Sequence, residues 1–172
     1  NAKIRFKFYG TNLTEELTRM VNEQFPHLKN HVLITPKMQN HELLEKLAAD
    51  NVMLLFNYYS YMGTKIFDYL GIRRKMIMCY ENDAEANLLK QKFYSVDESG
   101  TESKQLQADL IYETNSGIIV KDSNHLQQVL QELYAEFEKK GFIACDSVGV
   151  ENYSRKIQVE KLAELVKNIS SC

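Results

Sequence analysis

Residues 3–9, KIRFKFY, alternate basic and apolar side chains with period two, and Gly10-Thr11-Asn12 follows as a turn, which predicts a first strand. Leu13, Leu17, Met20, Val21 and Phe25 then recur at helical spacing with charges between them, predicting a helix over 14–24 that Pro26 closes. HVLIT at 31–35 predicts a second strand, followed by Pro36-Lys37-Met38. A helix beginning at Asn40 or His41 is marked by Leu43, Leu44, Leu47 and Ala48. The unbroken apolar run VMLLF at 52–56 predicts a third, buried strand.

A short helix is expected over 64–70, with Gly71 as its stop in the left-handed conformation that suits glycine. KMIMCY at 75–80 is the fourth strand, and 83–93 is helical, with Ala84, Leu88 and Leu89 on one side. Residues 95–107, rich in Ser, Glu, Gln and Asp, predict a flexible loop. The stretch 106–112 reads equally as a helical turn or a short strand, whereas GIIV at 117–120 is a fifth strand. Asp122 or Ser123 caps a long amphipathic helix through Leu126, Val129, Leu130, Leu133, Tyr134 and Phe137, ending at Gly141. Residues 142–150 are irregular, and 152–169 form a final helix carrying Ile157, Leu162, Leu165, Val166 and Ile169.

Strands that alternate with helices are parallel and joined by right-handed crossovers. The whole of 1–172 therefore predicts one α/β domain, a Rossmann-like doubly wound parallel sheet of about five strands with helices on both faces. Such sheets bind ligands outside the carboxyl ends of their strands. Gly10, Pro36-Lys37 and the loop 57–65 all fall at such ends.

The last of these, within NYYSYMGTKIFDYL at 57–70, carries the candidate chemistry. Unpaired amides and the helix dipole make the first turn of a helix suited to an anion such as phosphate. Gly63 allows close backbone approach, Thr64 can cap, Lys65 adds a mobile charge, and Asp68 lies one turn on, where it can accept hydrogen bonds from sugar hydroxyls. The same Gly-Thr-Lys reads equally as a well-capped helix start with a solvated lysine. Tyr58, Tyr59 and Tyr61 stack on a ligand or pack on the domain itself.

Composition narrows the classes. With 44% hydrophobic and 26% charged residues the chain is an ordinary globular protein, and a net charge of -2 argues against nucleic acid as a partner. Cys79, Cys145 and Cys172 are widely spaced and odd in number, which indicates neither a disulfide framework nor a zinc site and points to a reducing cytoplasm. No metal and no bound cofactor are expected. The chain shows no apolar run of membrane-spanning length and no signal peptide. Opening on Asn1-Ala2 without Met, it is expected to be cut from a longer polypeptide, with a cloning remnant at its start.

Dinucleotide, P-loop and nucleophile-elbow motifs are absent from the sequence. A receiver domain would need acids at the ends of strands one and three, where Tyr9-Gly10-Thr11 and Phe56-Asn57-Tyr58 stand, and Lys121, which resembles the receiver lysine, means little alone. His27, His31, His41 and His125 read as surface or capping residues.

Taken together, the chain resembles the C-terminal, donor-binding domain of GT-B fold glycosyltransferases, in particular bacterial group 1 enzymes of surface-polysaccharide synthesis. The segments IRFKFYG, HVLITPKMQNHELLEKLAADNVMLLF, SGIIVKDSNHLQQVL and NYSRKIQVEKLAELV carry the likeness. The most specific is GTKIFDYLGIRRKMIM, similar to the family's G-x-x-x-K-x-x-E-Y-L-A-x-x-K-P-I.

The resemblance implies that the domain binds a nucleotide-diphosphate sugar, for transfer to a glycan or lipid-linked acceptor. It assigns Gly63, Thr64 and Lys65 to the diphosphate and Asp68 to the ribose. Pro36 and Lys37 would lie near the base, and Gly10 with Thr11 would allow close approach of the donor. It also implies an N-terminal acceptor domain, without which the fragment is inactive, and peripheral association of the full-length enzyme with the inner face of the membrane. Three positions depart from the pattern: Asp68 replaces a glutamate, Ser60 the first acid of a two-glutamate motif, and Met76 a proline. The alternative, from a different class, is a non-catalytic Rossmann-like module that binds a nucleotide or a partner protein.

Overall fold

The computed structural model describes residues 4–56, 63–79 and 106–170. In order they form β1 (Phe6–Phe8), α1 (Thr14–Gln24), a 3-10 turn (Pro26–Leu28), β2 (Val32–Ile34), α2 (Asn40–Ala48), β3 (Val52–Phe56), α3 (Lys65–Gly71), β4 (Lys75–Cys79), α4 (Leu106–Thr114), β5 (Gly117–Val120), α5 (Ser123–Lys140), a second 3-10 turn (Val150–Tyr153) and α6 (Arg155–Ser170). The architecture is α/β and the strand pairings are parallel, as the alternation predicts. The strands are distributed over two sheets, β1-β2 and β3-β4-β5, and the chain divides into two compact units between Lys46 and Leu47. The helix expected over 83–93 and the Tyr58, Tyr59 and Tyr61 cluster with Ser60 lie outside the described residues.

In the first unit β1 runs beside β2 with Phe6 opposite Val32 and Phe8 opposite Ile34. The ladder closes where Thr35 N–H donates to the Phe8 carbonyl at 2.8 Å. None of this unit's described residues is buried: Ile4, Phe6, Phe8, Leu13, Met20, Phe25 and Leu33 all remain exposed. Two three-residue strands and their helices are too small a set to enclose a core.

The second unit has a core on each face of its sheet. Side chains alternate along a strand, so Met53 and Leu55 of β3 and Met76 and Met78 of β4 meet Ile66 and Leu70 of α3 and Ala108, Leu110 and Ile111 of α4. Ile77, Cys79 and Val120 turn the other way, onto Val129 and Leu133 of α5. Helices thus cover both faces, which is why these strands read as unbroken apolar runs.

Several local expectations resolve in the structure. The ambiguous 106–112 stretch is helical, because burying Gln107, Leu110, Ile111 and Thr114 uses a spacing of three and four residues; the last two residues of the expected 95–107 loop belong to it. Asp122 is the cap of α5, its Oδ1 accepting the His125 N–H at 2.8 Å, and Gly141 ends that helix at φ 78°. The stop of α3 differs from expectation: Gly71 is its last helical residue, and the left-handed position is Arg73 at φ 52°. Arg73 pairs with Glu151 at 3.8 Å, and Arg74 Nε donates to the Ala48 carbonyl at 3.0 Å. The final helix begins at Arg155 rather than 152, after the second 3-10 turn, with the Ile157 N–H donating to Ser154 Oγ at 3.3 Å.

Candidate functional site

The residues singled out from the sequence fall in two groups, one in each unit. In the second unit, Gly63, Thr64, Lys65 and Asp68 surround the start of α3, beyond the carboxyl end of β3. Ile66 and Leu70 are 0% and 2% exposed, and this inward anchoring turns the remaining face of the helix outward. Thr64, Lys65, Phe67 and Asp68 are exposed, and Gly63 is half-buried. Lys65 and Asp68, three residues apart, are neighbours on that outward face. The corner therefore offers one cation and one carboxylate beside the start of a helix.

Two details differ from the sequence reading. Thr64 does not cap α3 with its hydroxyl. Its backbone is helical, at φ -70° and ψ -25°, whereas a capping side chain needs an extended backbone to reach the next amides; the Phe67 N–H bonds the Thr64 carbonyl instead, at 3.2 Å. Gly63 is not demanded by crowding within the protein, since a Cβ there would stand 3.9 Å from Gln107 Oε1. Asp68 acts on its neighbour: Tyr69 titrates above its ordinary value, chiefly through burial and then through that carboxylate.

In the first unit, Gly10 and Pro36 each stand two residues past the paired Phe8 and Ile34, so they lie at adjacent strand ends. Gly10 has φ 67° and its missing Cβ would touch nothing, so glycine is needed there for the backbone and not for space. Thr11 builds the entry to α1: its Oγ1 accepts the Leu13 N–H at 3.0 Å, and its carbonyl accepts the Thr14 hydroxyl at 3.1 Å. Pro36 and Lys37 are exposed and line an open depression of about 540 Å³, shared with Thr35, Met38, Gln39, Glu42 and Lys46. Lys46 pairs with Glu42 at 3.5 Å across one helical turn. The sequence reading missed these two, although their spacing of four residues was a signal that they share a face of α2.

At the end of β5, the Lys121 N–H donates to His125 Nδ1 at 3.2 Å, which leaves the ring proton on Nε2. His125 is thus a capping residue, as expected. Among the described residues no group of three His, Cys, Asp or Glu side chains is arranged to hold a metal ion, and no helix is long and apolar enough to cross a membrane.

The described residues form an α/β chain built on parallel sheets, with Lys65 and Asp68 exposed on the outward face of α3. Comparison with protein-family models, curated proteins and solved structures returns no match.

Proposed function

We propose that the chain is the donor-binding half of a glycosyltransferase, moving a sugar from a nucleotide-diphosphate sugar to a glycan or lipid-linked acceptor. The observation that carries the reading is the outward placement of Lys65 and Asp68 on a helix whose other face is locked into the core by Ile66 and Leu70. A cation near the start of that helix would oppose the negative charge that grows on a departing diphosphate, which is electrostatic catalysis without proton transfer. Asp68 accepts hydrogen bonds from the ribose hydroxyls. On this reading acceptor binding comes from a second domain, and no metal takes part.

Thermal unfolding with UDP, GDP and ADP tests the reading. A ligand present at one hundred times its Kd stabilises by about 2.7 kcal/mol, and that gain should appear with one of the three and vanish in Lys65→Ala. No response to any of them removes the donor-binding assignment. The second reading, a non-catalytic module that binds a partner protein, is favoured by a different observation. Val159, Leu162, Leu165, Val166 and Ile169 on α6 are between 55% and 76% exposed, an apolar face without cover among the described residues.

A further inference from the structure

A helix as short as α3 is marginal by itself, so its position is set by what packs on it. Ile66 and Leu70 fix its inner face. The 3-10 turn Val150–Tyr153 meets it at three further points. Val150 is buried in the same cluster as Ile66 and Leu70. The Tyr153 ring lies 6.4 Å from that of Phe67, centroid to centroid and tilted by 31°, against a residue otherwise turned to solvent. Glu151 Oε2 stands 3.8 Å from Arg73 Nη2, just past the helix end.

The turn is itself held firmly. Gly149 enters it at φ 64°, a conformation that favours glycine, and its carbonyl accepts the Asn152 N–H at 3.1 Å. The Asn152 carbonyl accepts Gln158 Nε2 at 2.6 Å, tying the turn to α6. The Tyr153 hydroxyl hydrogen-bonds the Glu113 carboxylate on α4. One aromatic ring is therefore clamped between α4 and Phe67 of α3.

We infer that the Val150–Tyr153 turn is a brace for α3, and that Tyr153 is a positioning residue for Lys65 and Asp68, acting through its ring contact with Phe67. Lys65 and Asp68 flank Phe67 in sequence and move with the same two turns of backbone, so a shift or fraying of α3 displaces both groups together. The consequence for ligand binding rests on the function proposed above, whereas the bracing of α3 does not. Displacements on the order of an ångström at a binding constellation are enough to weaken it severely.

Amide hydrogen exchange of the whole chain, with Tyr153→Ala and Tyr153→Phe, tests the brace. The reporters are the Ile72 and Arg73 amides, bonded to the carbonyls of Asp68 at 3.0 Å and Leu70 at 3.1 Å, and the amides of α5, on the opposite face of the sheet, serve as the control. In Tyr153→Ala the α3 reporters should exchange about tenfold faster while α5 is unchanged, the signature of local rather than global opening. Tyr153→Phe, which keeps the ring, should restore α3 protection to near the parent value. Equal acceleration of α3 and α5, or no change in α3, overturns the brace. Calorimetric titration with inorganic pyrophosphate supplies the second readout: about tenfold weaker binding in Tyr153→Ala, recovered in Tyr153→Phe, extends the brace to the site. Absence of pyrophosphate binding in the parent protein removes the proposed function and leaves the exchange result to decide the brace.

Discussion

Met76 and Gly117 face each other across the β4–β5 ladder so closely that a Cβ on Gly117 would stand 2.3 Å from the Met76 carbonyl oxygen. No flexible side-chain end can yield here, because the obstructing atom is backbone in a strand whose Met76, Ile77 and Met78 are fully buried. Gly117→Ala should therefore push β5 away from β4 or bend it. Overpacking of this kind costs on the order of 1–3 kcal/mol, and the backbone clash puts this case at the upper end. Urea unfolding of the parent and Gly117→Ala proteins gives the difference directly, and equal midpoints would contradict the close register.

Arg74 serves the second unit in a comparable way. Its Nε and Nη2 both donate to the Ala48 carbonyl, satisfying an acceptor at the end of α2 that the helix itself leaves without a partner. Arg74→Ala should cost about 1.5–3 kcal/mol, the range for a hydrogen bond made by a charged group. Arg74→Lys should recover only part of it, since an ammonium lacks the two-pronged donor geometry. Denaturation midpoints ranked parent, Lys, Ala would bear this out; a lysine variant as stable as the parent would show that charge alone matters.

Tyr153 makes the fold sensitive to alkaline pH. Burial, then the hydrogen bond to Glu113 and its charge, raise the phenol from 10.0 to about 12. A group with a raised folded-state pKa binds its proton more tightly when folded, so its contribution is complete below about pH 10 and is lost as pH climbs through about 12. The parent protein should lose stability more steeply than Tyr153→Phe over that window, and the two should run parallel below it. Parallel curves throughout would remove the Glu113 contact from the account.

How far the chain could be read in advance depended on whether the controlling contacts were local. β3 and β5 fall on the residues their apolar runs mark, because a strand covered on both faces leaves a continuous signal. β1 and β2 are shorter than the stretches 3–9 and 31–35 expected to form them, and among the described residues each is paired with the other alone. Which strands share a sheet is invisible in periodicity, and the distribution over two sheets appears only in the structure. Lys65 and Asp68 were singled out by their place at an expected helix start, whereas the spacing of Ile66 and Leu70, four apart, was an unused signal of the buried side of α3. The Arg74–Ala48 contact spans 26 residues, and no spacing rule foretells it. The left-handed position expected of Gly71 is held by Arg73, whose side chain pairs with Glu151, far along the chain.

On the proposed function, Asp68 would separate recognition of a nucleoside from recognition of phosphate alone. A carboxylate accepting ribose hydroxyls would have no role toward inorganic pyrophosphate, whereas Lys65 would serve both. Asp68→Asn should weaken the preferred nucleoside diphosphate about tenfold, equivalent to about 1.4 kcal/mol, and leave pyrophosphate affinity unchanged. Lys65→Ala should weaken both. Equal losses for both ligands in Asp68→Asn would mean that the carboxylate acts on α3 and not on a sugar.

The exposed face of α6 sets the opposite expectation from α3 for otherwise similar apolar residues. Leu70 is 2% exposed and wedged between α3 and the sheet, so Leu70→Ala removes buried methyls and leaves a cavity, at a cost of about 2–5 kcal/mol. Leu162 and Val166 are 61% and 55% exposed, so Leu162→Ser and Val166→Ser, separately, should each change stability by about 0.5 kcal/mol or less in the chain alone. Unfolding at low protein concentration checks both sides of the contrast. If the α6 variants cost as much as Leu70→Ala, that face is covered in solution by something among the residues of this chain or a second copy, and a concentration series tells the two apart, because only the second makes the midpoint depend on protein concentration.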